Sequence, residues 1–175
     1  RAARLDALEG QVEVWSAEAG AWASASSFRR LGAGDRVRTE AEGVAVLTFF
    51  DGSTTALEGA TEVELVELSS RRDGAAKQIV LHQRSGQTHH EVQRLRRPAA
   101  RFQVRTPTAL TEVRGTAFDV VVAADGATQV AVWRGLVVVQ SLTELAGDAE
   151  SVELQPGWFT SVEPEGTPSA PVVVP

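Results

Sequence analysis

Three histidines, His82, His89 and His90, fall in one short window and could in principle hold zinc or nickel through imidazole nitrogen. Their spacing argues against it. In an extended chain successive side chains point to opposite faces, so His89 and His90 cannot share one. His82 and His89 would approach each other if residues 79 to 83 and 86 to 92 paired as a hairpin about Ser85-Gly86. A solvated hairpin is the expected account, and no metal site is assigned.

The second group with chemical potential is basic. The stretch from Phe102 to Phe118 carries Val104-Arg105-Thr106-Pro107 and then Arg114-Gly115-Thr116 among small and apolar residues. Pro107 fixes its own φ and pushes Thr106 into an extended conformation, so Arg105 and Arg114 are held near a strand corner. Gly115 lets the backbone turn before Phe118 enters the core. Two arginines there can hydrogen-bond carbonyls that a strand crossing leaves unpaired, or meet Glu112 or Asp119. This bracing role is the expected one, and the competing reading is a clamp on an anionic ligand.

From Arg84 to Arg105 there are six arginines, at 84, 94, 96, 97, 101 and 105, with Glu91 the sole acidic residue. Arg94, Arg96, Arg97 and Arg101 are therefore candidate partner contacts. They could steer phosphate or acidic glycan, or dock on acidic strand residues such as Glu62, Glu64 and Glu67 of another copy. Only Phe102 interleaves with them, so stacking on single-stranded nucleic acid is not supported. A solvated or interface role is expected, with no nucleic acid as partner.

Catalysis is not indicated. There is no G-x-S-x-G, no glycine-rich phosphate loop before a helix, and no nucleophile set against a base. Glu62 and Glu64 share one strand face, the usual appearance of a solvated surface. Trp15, Trp22, Trp133 and Trp158 could stack on sugars, but core placement is the expectation. No catalytic residue, cofactor or metal ligand is named.

The elements that would position these residues are strands. Gln11–Trp15, Thr61–Leu65, Thr128–Trp133 and Glu150–Leu154 place large apolar side chains at every second residue, as half-buried strands require. Turn pairs at Gly34-Asp35, Asp51-Gly52, Asp73-Gly74, Asp125-Gly126 and Gly147-Asp148 punctuate them. Short helical stretches are expected at most at Ala2–Leu8 and as one turn within Glu91–Ala100. The fold class is all-β.

Two echoes run through the chain. Leu8-Glu9-Gly10, Leu57-Glu58-Gly59, Trp133-Arg134-Gly135 and, with one insertion, Leu154-Gln155-Pro156-Gly157 each lead into a new strand, which suits glycine at corners where a strand changes sheets. Val37-Arg38-Thr39 followed by Asp51-Gly52 is echoed by Val104-Arg105-Thr106 followed by Asp125-Gly126, as in two copies of one winding unit with an insertion in the second.

The chain of 175 residues, at net charge -6, suits one domain and disfavours whole-surface attraction to nucleic acid or anionic lipid. Sixteen of its seventeen basic residues are arginine, a bias that a GC-rich genome produces. Without cysteine it has neither disulfides nor thiolate metal sites. Its purely apolar runs, Val120–Ala124 and Leu136–Val139, are far short of the roughly 20 residues of a membrane helix. Residues 1–163 read as one β domain. Residues 164–175 read as a proline-rich tail ending in the strand candidate Val172-Val173-Val174.

Taken together, the motifs resemble the FecR-like domain. Gly34-Asp35-Arg36-Val37-Arg38-Thr39 is similar to the opening of its signature, and Val46-Leu47-Thr48-Phe49 with Asp51-Gly52-Ser53 to its hairpin. Val104-Arg105-Thr106-Pro107-Thr108-Ala109, Val113-Arg114-Gly115-Thr116 with Phe118, and Val132 to Gly135 and Val137 resemble its most specific part. The resemblance implies a solenoid-like double sheet, a twisted β-solenoid or β-sandwich with short strands and glycine corners. It also implies a bacterial, extracytoplasmic setting (periplasm, cell surface or medium) and action by protein contact. The best-known members relay a signal from an outer-membrane transporter to a sigma factor through one membrane helix and a cytoplasmic helical segment.

Neither of those segments is read in these residues. The expected role is thus a non-catalytic interaction module, self-assembling into a fibre if the tail adds as a strand to the next copy. The alternatives are the sensory part of an anti-sigma regulator and a glycan-binding module.

Overall fold

The computed structural model describes residues 1–25, 27–72, 76–142 and 150–174. The predicted turns at Asp73-Gly74 and Gly147-Asp148 lie outside those residues. Among the described residues every regular element is a strand. The first eight are β1 (Ala3–Glu9), β2 (Val12–Ser16), β3 (Ala21–Ser24), β4 (Arg29–Leu31), β5 (Arg36–Thr39), β6 (Val44–Thr48), β7 (Thr54–Leu57) and β8 (Glu62–Ser70). A long central strand follows, β9 (Lys77–Glu91). Eight more complete the chain: β10 (Arg101–Arg105), β11 (Ala109–Val113), β12 (Ala117–Val122), β13 (Thr128–Arg134), β14 (Val137–Ser141), β15 (Ser151–Leu154), β16 (Trp158–Val162) and β17 (Val172–Val173).

All of them join one network of pairings, in which the ladders fall into two series that share β9. One series runs β4, β1, β6, β7, β9, β12, β13, β16, β17, and every pairing in it is antiparallel. The other runs β3, β2, β5, β8, β9, β10, β11, β14, β15. Its β9–β10 pairing is parallel. The N-terminal half of β9 pairs with β8 and β10, the C-terminal half with β7 and β12, and the strand passes between series at Gly86, where φ is 82°.

The period of two sets what is inside. In β8, Val63 and Leu65 point inward and Glu62 and Glu64 outward, and a register shift between Leu65 and Glu67 returns Leu68 to the interior. Valines and leucines of both series form one core, joined across it by Phe49 and Phe102, whose ring centroids lie 5.8 Å apart. Complete burial of Phe102 and Phe118 contributes about 2–3 kcal/mol each.

Three local expectations are corrected here. Ala2–Leu8 is not helical: Ala3 and Leu5 are buried while Arg4 between them is exposed, and β1 pairs with β4 and β6. Glu91–Ala100 holds no helical turn, because the chain must cross there from one series to the other to start β10. Residues 79–83 and 86–92 are not a hairpin but one strand, each part of which pairs with other strands.

The glycine corners are where the sequence puts them. Gly10, Gly59, Gly135 and Gly157 stand at chain crossings between the two series. At Gly59 a Cβ would lie 1.9 Å from Ala41 O, and at Gly135, with φ 82°, it would lie 2.6 Å from Gly115 O. Backbone of one corner thus rests on backbone of the next.

The second echo is real but displaced. Asp51-Gly52 and Asp125-Gly126 form the same turn: Phe49 N donates to Ser53 O at 2.9 Å and Ala123 N to Ala127 O at 2.9 Å. Asp51 Oδ1 then accepts from Ser53 N at 2.9 Å, and Asp125 Oδ1 from Ala127 N at 3.0 Å. The winding that repeats β5-β6-β7-β8 is β11-β12-β13-β14, with first and last strands paired in both. Val104-Arg105-Thr106 lies in β10 and the turn after it, before that second winding begins, so it is not the counterpart of Val37-Arg38-Thr39 in β5. Tripeptide likeness in a valine-rich chain misassigned it.

Candidate functional site

The β10–β11 hairpin carries the signature and keeps its two arginines apart. Arg105 pairs with Leu110 beside the turn, whereas Arg114 follows Val113, which pairs with Phe102 at the far end. They do not converge on a ligand. Arg114 Nη2 donates to Pro98 O at 3.1 Å, the carbonyl contact anticipated for it. Arg105 is exposed and lies across from His82 in the parallel ladder. Burial chiefly lowers the His82 pKa, with Arg84 and Arg105 adding to the effect against the pull of Glu64.

Bracing at the turn is done by threonines, which sequence reading did not single out for it. Thr106 Oγ1 accepts from Ala109 N at 2.9 Å and lies 2.7 Å from Thr128 Oγ1. Thr108 Oγ1 is 2.8 Å from Thr128 Oγ1, 3.0 Å from Gly126 O and 3.2 Å from Val162 O. All three side chains are buried. Pro107 packs under Gly126, where an added Cβ would sit 3.2 Å from its ring. The Thr-Pro-Thr motif thus ties the β10–β11 turn to the Asp125-Gly126 turn and to β16. A run of threonines beside a turn was the available signal.

In the first winding unit Arg38 meets Glu13 at 2.6 Å and lies 4.1 Å over the Trp22 ring. Thr39 Oγ1 accepts from Thr61 N at 3.0 Å, while Asp51 and Gly52 make the hairpin turn described above. At the later corner Thr116 is buried and its carbonyl accepts from Val92 N at 2.8 Å, Phe118 is fully buried, and Gly135 rests on Gly115. The acidic strand meets arginines of its own chain. Arg84 bonds Glu64 at 2.7 Å and approaches Glu62 at 3.7 Å, and Arg36 approaches Glu64 at 3.6 Å. That hydrogen bond from Arg84, opposed by burial and aided by Arg36, lowers the Glu64 pKa.

The three histidines occupy three environments. His90 lies in the core, Nδ1 at 2.8 Å from Thr55 Oγ1 and Nε2 at 2.7 Å from Thr88 Oγ1, stacked on Phe118 at 4.6 Å. Burial pushes its pKa to about 3. His89 faces outward between Asp119 and Glu91, and although burial works against the charged form, hydrogen bonds to those carboxylates raise its pKa.

The tryptophans are not core, contrary to expectation. Trp133 and Trp158 are 49% and 37% exposed, and Trp15 and Trp22 are half-buried on the outer face. Alternation sets this for two of them, since Trp15 follows the inward Val14 and Trp133 the inward Val132. Trp133 Nε1 donates to Asp119 Oδ2 at 2.9 Å.

The tail does not project. Val172 and Val173 pair with Phe159 and Trp158 of the same chain, Val174 N donates to Gly157 O at 2.7 Å, and Thr160 Oγ1 donates to Ser169 O at 2.7 Å. Of the two edges open to the tail strand, that of its own chain and that of a next copy, the structure uses β16 of the same chain, an edge within reach at no cost in association entropy.

The remaining surface feature is the segment between β9 and β10. Arg94, Arg96, Arg97 and Arg101 are exposed, and among the described residues none of their guanidinium groups makes an ion pair or hydrogen bond. Leu95 packs against the core and Arg114 fastens Pro98, so the segment is held. Beside it a shallow groove runs over β11 and β14, lined by Leu110, Glu112, Arg114, Leu136, Val138 and Gln140.

Comparison with known proteins agrees with the motifs. The sequence profile of the FecR protein family matches residues 35–138. Two crystal structures of a candidate anti-sigma factor from Parabacteroides distasonis, at 2.50 and 1.65 Å resolution, share the fold with a TM-score of 0.61 at 20% identity. Each likeness covers 79% of this chain and 59% of the other, so the chain spans less than two thirds of that protein. No curated protein matches the sequence.

Proposed function

The chain belongs to the FecR protein family, and we propose that it is the extracytoplasmic, periplasmic sensory part of a FecR-type anti-sigma regulator. It acts by protein contact and without chemistry of its own. The observation that carries this is the family match over 35–138 together with a fold shared with a candidate anti-sigma factor. Residues 1–163 are the FecR-like domain, and 164–175 a tail that folds back on it. Winding between two series with glycines at the crossings supports a twisted double-sheet architecture of the β-solenoid or β-sandwich kind.

A fibre has less support, because the tail strand that would build one pairs within its own chain. A glycan site has less support too. Arg38 lies 4.1 Å and Arg36 5.9 Å over the rings of Trp22 and Trp15, on faces a sugar would need.

The test is genetic. Reading the frame upstream of Arg1 should disclose a membrane helix and a cytoplasmic helical segment. Deleting residues 1–163 from the native gene should then change transcription from the promoter of the neighbouring sigma factor. Unaltered transcription with and without the inducing signal would remove the regulatory reading.

A further inference from the structure

We infer that the surface formed by the segment between β9 and β10 and the groove over β11 and β14 is a docking site for one kind of partner, a protein segment whose apolar side chains are flanked by carboxylates. The inference deepens the regulatory reading by naming the chemistry of the contact.

The charge observation is local. Between Val92 and Thr111 the sequence holds five arginines and no acidic residue, in a protein whose net charge is -6. Elsewhere several arginines are matched, Arg4 with Asp6, Arg38 with Glu13, Arg84 with Glu64 and Arg134 with Glu91, at 2.9, 2.6, 2.7 and 2.8 Å. Arg94, Arg96, Arg97 and Arg101 lack such partners among the described residues. Planar guanidinium forks left open suit carboxylates, which they grip in pairs.

The apolar half adjoins it through Arg114. Arg114 stands one residue past the Phe102–Val113 and Val113–Val137 pairs and lines the groove together with Leu136, while Arg101 immediately precedes Phe102. Leu136 and Val138 are 44% and 37% exposed on the outer face of the sheet. A groove with apolar floor and cationic rim is the complement of an apolar segment with acidic flanks.

Anionic lipid fits less well. Glu112 lines the groove, held there by Gln103 Nε2 at 2.8 Å, and can accept a backbone amide of an extended peptide, whose carboxylates then meet the arginines of the adjoining segment. Because Leu95 and the Arg114–Pro98 bond already fix the segment, little ordering entropy opposes binding.

Two synthetic twelve-residue peptides serve as probes, one of leucines flanked by glutamates and one with lysine for each glutamate, read by fluorescence anisotropy against the whole chain. Vesicles of anionic phosphatidylglycerol form a third arm. The acidic peptide should bind, weaken with salt, and lose at least tenfold in affinity in the Arg96→Glu/Arg97→Glu double variant and again in Leu136→Ser, while circular dichroism of both variants is unchanged. Arg29→Glu/Arg30→Glu, on β4 at the edge of the other series, is the charge control and should keep the affinity. Equal binding by the double variant overturns the site, as does binding of the lysine peptide or of vesicles in place of the acidic one. Such a failure leaves the transcription test standing, so the two readings fail separately.

Discussion

His89 and His90 are neighbours in sequence and occupy opposite faces of β9: His89 sits at the surface between Asp119 and Glu91, while His90 hydrogen-bonds Thr55 and Thr88 in the core. The two faces give the imidazoles pKa shifts of opposite sign. Strand alternation alone separates them.

Their linkage to stability is opposed as well. His90 titrates at about 3 in the folded chain and near 6.5 unfolded. Above 6.5 it is neutral in both states. From 6.5 downward the unfolded chain takes up a proton the folded chain refuses, so stability falls by up to about 1.4 kcal/mol per pH unit until about pH 3. For His89, whose folded pKa is raised, the added stability is present below 6.5 and is lost as pH rises through the raised value. Solvent screens His89, so His90 dominates. Melting curves between pH 7.5 and 5 should show the wild type losing stability on acidification. His90→Leu should start about 1–3 kcal/mol less stable, with the Thr55 hydroxyl unpaired and Thr88 keeping only its bond to Gln83 Oε1, but respond less to pH. Parallel slopes would refute the assignment.

Glycine is demanded by space at some corners and by φ alone at others, and substitution separates the two. Gly59→Ala drives a methyl to 1.9 Å from Ala41 O, a backbone atom fixed by the next corner. A cost of about 3 kcal/mol is expected, at the upper end for overpacking. Gly20 has φ 63° with nothing within 4 Å of its Cβ position, so Gly20→Ala should cost only about 1 kcal/mol. Urea midpoints measure both. Equal losses would mean that the corners do not bear on one another.

Much of this was legible beforehand. Alternation found the strands because Val63 and Leu65 or Val130 and Val132 face inward at every second place, and the Leu-x-Gly echo found the crossings because only glycine admits backbone so close. Ala2–Leu8 was misread since Ala3 and Leu5 alternate for too short a run to outweigh helical propensity. The tryptophans were misplaced because residue type was weighed above alternation, which puts Trp15 and Trp133 on the face opposite Val14 and Val132. At the site, the basic run could be read directly. What could not be read was that Arg114 and Leu136 line one groove, which depends on the pairing of β11 with β14, strands distant in sequence.

Removing residues 164–175 tests where the tail strand belongs. In the folded chain β17 covers the edge of β16 at Trp158 and Phe159, and Ser169 satisfies Thr160. Val172 and Val173 remain 51% and 57% exposed, so the tail contributes mainly backbone hydrogen bonds and little burial. Truncation should therefore lower stability by about 1–3 kcal/mol, roughly the net worth of a few ladder bonds. It also leaves a bare strand edge, which invites pairing between molecules. Sedimentation should then report as many chains per particle as the intact protein, or more. A truncated protein with fewer chains per particle than the intact one would show that the strand is exchanged between copies, and the pairing with β16 in the same chain would fall.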